Sequence, residues 1–195
     1  EKLEWAKEVG CYRISFGLEH GNEEYRKETL RRNMTNAFIL KQSKIVAASG
    51  IPYTLNNIVG MPYETRALLF DSIRLNRRIG TFDSLSVNVF VPYHGTPLRE
   101  MAISEGWLDP AAQTTSVIAK SILTMPLPYL SGEEILSLQR VFPLYVRLPE
   151  SRYPHIRIAE RFDEEGNAMF DALSKEFYTL VYGKDEADRL LTYAG

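Results

Sequence analysis

Within its first 106 residues the chain passes three times from a short β-like run into an amphipathic helical one. From Tyr12 the residues alternate, with Tyr12, Ile14, Phe16 and Leu18 on one face and Arg13, Ser15, Gly17 and Glu19 on the other. Thr35 is placed to cap a helix through about Ser49, with Phe38, Ile39, Ile45 and Val46 as its apolar stripe and Gly50 as its stop. Tyr53 to Val59 reads as a second strand. A second helix runs from about Thr65 to Ile79, carrying Leu68, Leu75 and Ile79 on one side, widened by Leu69 and Ile73. The third strand, Leu85 to Val91, sets Leu85, Val87, Val89 and Val91 against Ser86, Asn88 and Phe90. Thr96 and Pro97 then make an N-cap and N1 pair for a third, short helix.

A βαβαβα order favours parallel strands joined by right-handed crossovers. A doubly wound sheet buries both strand faces and needs nearly continuous apolar runs. These strands instead carry Arg13, Ser15, Glu19, Asn57, Ser86 and Asn88 on one side. A barrel with a polar lumen accounts for that side, so the expectation is an α/β fold, a (βα)3 half of a TIM-like partial barrel. From about Asp109 the pattern is helical only. Asp109-Pro110 is expected to begin one helix, the capping box Ser131-Gly-Glu-Glu134 another, and Glu164 to Val181 a third, with Met169, Leu173 and Phe177 in line. The aromatic, proline-rich stretch from Phe142 to Pro149 reads as a linker. The expected organisation is therefore a barrel part, residues 1–106, and an all-helical extension or cap, residues 107–195. The opening segment reads as the tail of a helix ending at Gly10, which suggests a piece of a longer protein.

At 45% hydrophobic and 25% charged residues, the composition is that of an ordinary soluble domain. A net charge of −2 gives no reason to expect nucleic acid or a membrane surface as partner, and no apolar run approaches a spanning length. Cys11 is the only cysteine, which excludes an internal disulfide framework and a cysteine-ligated cluster built from this chain alone. It reads as a buried small hydrophobe, compatible with reducing, cytoplasmic surroundings. His20, His94 and His155 stand far apart with no HxH or HExxH context, and no P-loop, GxGxxG or GxSxG occurs.

Loops at the carboxyl ends of strands are where β/α architectures place ligands. Glu19, flanked by Gly17 and Gly21, suits a ligand hydroxyl or ammonium, or else is a solvated loop carboxylate. The basic run Arg26, Lys27, Arg31, Arg32 suits a carboxylate or phosphate, or else is a solvated face. Gly60-Met-Pro62 turns sharply off its strand and leaves room for something flat. Tyr93-His94-Gly95-Thr96 combines an aromatic, an imidazole and a helix N-terminus, an anion site or simply a cap. The residues alone leave three readings open: an enzyme site, a β/α-barrel enzyme binding phosphate at Gly95-Thr96, and a non-catalytic α/β binding or scaffolding module.

Taken together, the three junctions resemble the second half of the barrel of radical S-adenosylmethionine (SAM) enzymes, and more narrowly the cobalamin-binding-domain subgroup. Gly17-Leu-Glu19-His-Gly21-Asn-Glu23, with Arg26 and Leu30-Arg-Arg-Asn-Met-Thr35 behind it, resembles the family's fourth-strand GxExG motif. Ile58-Val-Gly60-Met-Pro62-Tyr-Glu64-Thr65 resembles the fifth-strand GxPxET motif, and Phe90-Val-Pro-Tyr-His94-Gly-Thr96-Pro-Leu98 the PxPGTxL motif after the sixth. The resemblance covers Cys11 to Gly106. It implies that Glu19 contacts the SAM ribose or methionyl amine, and Arg32, or Arg26, its carboxylate. It further implies that Asn57 and the Ile58, Gly60 and Pro62 backbone border the adenosyl moiety, with His94 and Thr96 close to adenine or a small-molecule substrate. The implied activity is cleavage of SAM by a reduced 4Fe–4S cluster to a 5′-deoxyadenosyl radical, with cobalamin-dependent methyl transfer or cyclisation in the subgroup. The CxxxCxxC cluster loop is not in this chain, so the implied partner is the missing N-terminal half of the same protein. The chain alone is expected to be inactive and to form a homodimer, to aggregate, or to shield its open strand edges with the C-terminal helices.

Overall fold

The computed structural model describes residues 1–114 and 116–193. After a short helix, α1 (Lys2–Glu8), three parallel strands lie side by side in the order β1 (Ile14–Glu19), β2 (Tyr53–Val59), β3 (Ser84–Val89). Helices α2 (Glu23–Glu28) and α3 (Asn36–Ser49) follow β1, α4 (Arg66–Ile79) follows β2, and α5 (Pro97–Ser104) follows β3. The fold is α/β, as the alternation predicts. The caps also form where the sequence places them. The Thr35 hydroxyl accepts the Phe38 amide at 3.1 Å, the Thr65 hydroxyl accepts that of Leu68 at 3.3 Å, and Gly50 ends α3 in the left-handed conformation. Thr96 departs from this. Its hydroxyl donates to the Tyr93 carbonyl at 2.7 Å, and Pro97 alone supplies the helix start.

Sequential strand order places consecutive crossover helices on one face of the sheet. Along β2 the residues alternate accordingly: Tyr53, Leu55, Asn57 and Val59 are buried, and Thr54, Asn56 and Ile58 are half-buried. Leu69 and Ile73 of α4 are buried completely. Removing a leucine or isoleucine side chain of this kind from water is worth about 1.5–3 kcal/mol, so this face holds the core. The opposite face is polar. The Arg13 guanidinium donates to Thr54 Oγ1 at 3.3 Å and Ser84 Oγ at 3.1 Å, those hydroxyls lie 2.6 Å apart, and Asn56 Nδ2 donates to Ser15 Oγ at 3.0 Å. Asn57 does not belong to it. The strand's two-residue period carries Asn57 to the helix side, where it is fully buried and exchanges hydrogen bonds with Asn76 of α4. Glu19 keeps to the side of Ser15 and Gly17, its carboxylate beside Gly17 and Arg32, although a register shift between Gly17 and Glu19 pairs it with Asn57.

The two edges of the sheet differ. Ile14 donates its amide to Pro52 on the β2 side, so the backbone groups of Ser15 and Gly17 face outward from β1. The Gly17 carbonyl is engaged there by the Arg32 guanidinium at 3.1 Å. On β3 the outward Val89 amide donates to the Val117 carbonyl at 2.7 Å, and the Val87 carbonyl accepts from Gln139 Nε2 at 3.0 Å. This edge is covered at Val87 and Val89.

The chain divides into two compact units, Glu1–Gln139 and Arg140–Gly195, so the segment from 107 to 139 belongs with the sheet. Asp109-Pro110 starts no helix. Its carboxylate accepts the Ala111 amide at 2.8 Å, a local turn, and no apolar periodicity follows to sustain a helix. The capping box forms reciprocally: Ser131 Oγ accepts the Glu134 amide at 3.2 Å and Glu134 Oε2 accepts that of Ser131 at 3.0 Å. The helix it begins, α6 (Gly132–Arg147), continues through Pro143, so the stretch expected as a linker is helical to Arg147. In the second unit follow a 3-10 turn at Glu150–Arg152, α7 (Tyr153–Ala159), α8 (Glu164–Tyr182) and α9 (Lys184–Tyr193). Asp163 caps α8 through the Gly166 amide at 2.7 Å, and the buried Tyr145 hydroxyl donates to Glu160 at 2.6 Å. Cys11 is only half-buried. Among the described residues no helix is long and apolar enough to cross a membrane.

Candidate functional site

A cleft of about 380 Å³ opens at the carboxyl ends of the strands. β1 contributes Glu19, the loop after α2 contributes Arg31 and Arg32, and β2 and its turn contribute Ile58 and Met61. The segment after β3 adds Phe90 and the run Thr96 to Leu98. The lining is largely apolar, with its charge gathered on the β1 side.

Glu19 has φ of 64°, a left-handed conformation that a residue with a β-carbon adopts only at a cost. That geometry folds its carboxylate back over Gly17, where a β-carbon would stand 2.2 Å from Oε1. A side chain at 17 would have to displace that carboxylate. The same oxygen lies 3.2 Å from Arg32 Nη1. Burial raises the Glu19 pKa, and the Arg32 charge and hydrogen bond only partly offset it. A partly desolvated carboxylate and a guanidinium thus meet at the rim of an apolar cleft. Such a pair can exchange its mutual contact for the two ends of an amino-acid zwitterion, ammonium to Glu19 and carboxylate to Arg32.

Each of the three strand-end loops is held by one buried charged side chain. Behind β1, Arg26 is fully buried and donates to the His20 carbonyl, the Met34 carbonyl and Asn36 Oδ1, each at 2.7 Å. Behind β2, the buried Glu64 carboxylate accepts the Gly60 amide at 2.5 Å. Behind β3, Arg99 is 1% exposed and donates to the carbonyls of Pro92 at 2.9 Å, Pro110 at 3.0 Å and Ala112 at 2.9 Å. The first two loops also meet each other. Glu64 Oε1 lies 3.2 Å from His20 Nε2, close but out of hydrogen-bond alignment, while His20 Nδ1 accepts the Asn22 amide at 3.0 Å. Since Nδ1 accepts, Nε2 is the nitrogen that bears hydrogen toward Glu64. Tyr25 packs its ring 4.3 Å from His20 and donates to the Pro62 carbonyl at 2.5 Å. Burial, with the Glu64 charge second, holds its phenol far above the usual range, so it stays a donor.

The structure brings Glu19, Arg32, Ile58 and Thr96 together in the cleft and places the other expected residues elsewhere. Arg26 is spent on the carbonyls of its own loop. Asn57 lies under α4. Gly60 and Pro62 build the turn, Gly60 with φ of 79° and Pro62 as acceptor for Tyr25, while Met61 between them lines the cleft. His94 is exposed and does not line it. Sequence reasoning missed Glu64 and Arg99 as organising residues. Glu64 stood within the quoted Gly60-Met-Pro-Tyr-Glu motif, a signal for it, whereas nothing local marks Arg99. Among the described residues no group of three or more His, Cys, Asp or Glu side chains is placed to hold a metal ion. No protein-family model matches the chain, and no curated protein does.

Proposed function

We propose that this chain supplies part of the S-adenosylmethionine site of a radical SAM enzyme, of the kind whose subgroup uses cobalamin. The observation that supports this is the Glu19–Arg32 pair, 3.2 Å apart at the rim of a largely apolar cleft at the ends of three parallel strands. One carboxylate and one guanidinium suit the methionyl ammonium and carboxylate, and Ile58, Met61 and Phe90 offer an apolar wall to a flat base. Thr96 borders the same space. The residues present fit SAM but not a 4Fe–4S cluster, whose ligands, like any cobalamin domain, belong outside this chain. Bound by those ligands, a cluster supplies the electron for reductive cleavage of SAM.

Within this reading the chain's own work is to bind, orient and exclude water. Arg26, Glu64 and Arg99 fix the loops before a ligand arrives, so little ordering remains to oppose binding. The chain acts in the cytoplasm, with a small-molecule substrate and with the N-terminal half of its own protein as partners. Electron paramagnetic resonance of the protein extended upstream and reconstituted anaerobically with iron and sulfide tests the reading. A reduced-cluster signal that SAM perturbs is expected. A protein without a cluster, and with no upstream cysteine triad, leaves a binding module as the better account. The 195-residue chain alone is expected to bind SAM without cleaving it. Turnover by that chain sinks the assignment of the cluster to outside residues.

A further inference from the structure

Among the described residues three non-glycines hold a positive φ: Glu19 at 64°, Arg31 at 55° and Tyr63 at 64°. Glu19 and Arg31 both line the strand-end cleft. Left-handed backbone at residues with a β-carbon is disfavoured and gathers where a site requires it. Glu19 has such a reason, since its turn delivers the carboxylate to Arg32. Arg31 has no comparable partner. Its side chain is exposed, and it makes no ion pair or hydrogen bond with any described residue. The other basic groups of the run are engaged: Arg26 with loop carbonyls, Lys27 with Glu28 and Arg32 with Glu19. The cleft lining therefore sets one carboxylate against two guanidiniums, a positive surplus within a chain of net charge −2. A guanidinium fork matches the oxygens of phosphate or carboxylate.

We infer that Arg31 anchors the anionic group, phosphate or carboxylate, of a second ligand that shares the cleft with the molecule held by Glu19 and Arg32. The inference deepens the reading above and rests on its placement of the ligand site in the strand-end cleft. It gives the substrate a class: a small molecule with one anionic group at Arg31 and an apolar body against Phe90 and Leu98.

Isothermal titration calorimetry of the 195-residue chain at low ionic strength tests it, with inorganic phosphate and SAM as probes, each alone and after saturation with the other. Phosphate is expected to bind whether or not SAM is present. Arg31→Asn removes the charge while tolerating the left-handed backbone. It is expected to weaken phosphate by about tenfold or more, the loss of one charge-assisted contact, and to leave SAM binding unchanged. Arg31→Lys, which keeps the charge but not the fork, is expected to restore only part of the phosphate affinity. Circular dichroism melting checks the fold, and Arg31→Asn is expected to melt no lower than the parent. Acetate titrated in parallel separates a carboxylate site from a phosphate site. Phosphate binding that survives Arg31→Asn, or that competes with SAM, overturns the inference. If SAM fails to bind while Arg31-dependent phosphate binding persists, the SAM reading falls and the anion site stands. If neither probe binds, both fall.

Discussion

Glu19 is pulled in two directions, and the balance can be read by titration. Burial raises its pKa more than Arg32 lowers it, so the folded chain holds the Glu19 proton more tightly than the unfolded chain does. A carboxyl of this kind contributes stability below its unfolded pKa of about 4.3, and that contribution is lost as pH rises through the folded value. Glu19→Gln should therefore gain stability relative to the parent as pH is raised from about 4 to about 7, seen as a growing difference in urea midpoint. The opposite trend would mean that the Arg32 pair outweighs burial. The same substitution is expected to weaken SAM binding by about 1–3 kcal/mol, the scale of one charged hydrogen bond, with the fold retained. A calorimetric titration of parent and variant decides this, and unchanged affinity would favour a module that does not use SAM. Arg31 belongs to the same scale. Its left-handed backbone costs about 1–2 kcal/mol, which makes the position a reservoir of strain beside the cleft.

Among the elements, the strand-end loops are fixed by close approach as much as by charge. Gly21 donates its amide to Ser72 Oγ at 2.8 Å, and a β-carbon there would stand 2.3 Å from the Ser72 α-carbon. Gly21→Ala must push the loop off α4 and should lower stability by about 3 kcal/mol, measurable by chemical denaturation. Arg99→Met would strand the carbonyls of Pro92, Pro110 and Ala112 and should also cost about 3 kcal/mol. Hydrogen exchange should quicken first at Tyr93 and Thr96, whose amides bond within that loop. Much of this level was legible in the sequence. Thr35, Gly50, Thr65 and the Ser131 capping box act through neighbours three or four residues away, so local pattern sufficed. Asn57 was misplaced because a polar residue was assigned to the polar face against the strand's own two-residue period. Arg26 and Arg99 were beyond local reading, since their partners lie up to thirteen residues away and only the folded loops bring those carbonyls together. α6 was shortened in the reading because Pro143 reads as a breaker, although the helix runs through it. Ile58 and Thr96 were found for the cleft, while His94, an attractive imidazole in sequence, stands out in solvent.

At the scale of the molecule, the consequential asymmetry lies between the two edges of the sheet. The outward backbone groups of Ser15 and the Gly17 amide are available for pairing, and Phe16 and Phe38 remain 38% and 50% exposed. The chain is accordingly predicted to associate through β1, giving twice the mass of one chain by light scattering. Ser15→Pro deletes one outward amide without touching the β1–β2 ladder, and should yield monomers. A parent that scatters as a clean monomer contradicts the prediction. What the covered β3 edge adds is a limit on growth. A second copy adding its β1 to the β3 of the first would meet Val117 and Gln139, which already occupy the outward Val89 amide and Val87 carbonyl. Head-to-tail addition, the route by which sheets extend into open-ended filaments, is blocked at one end. Joining β1 to β1 uses up both open edges at once, so assembly stops at two and the raw edge carries no licence for a fibre.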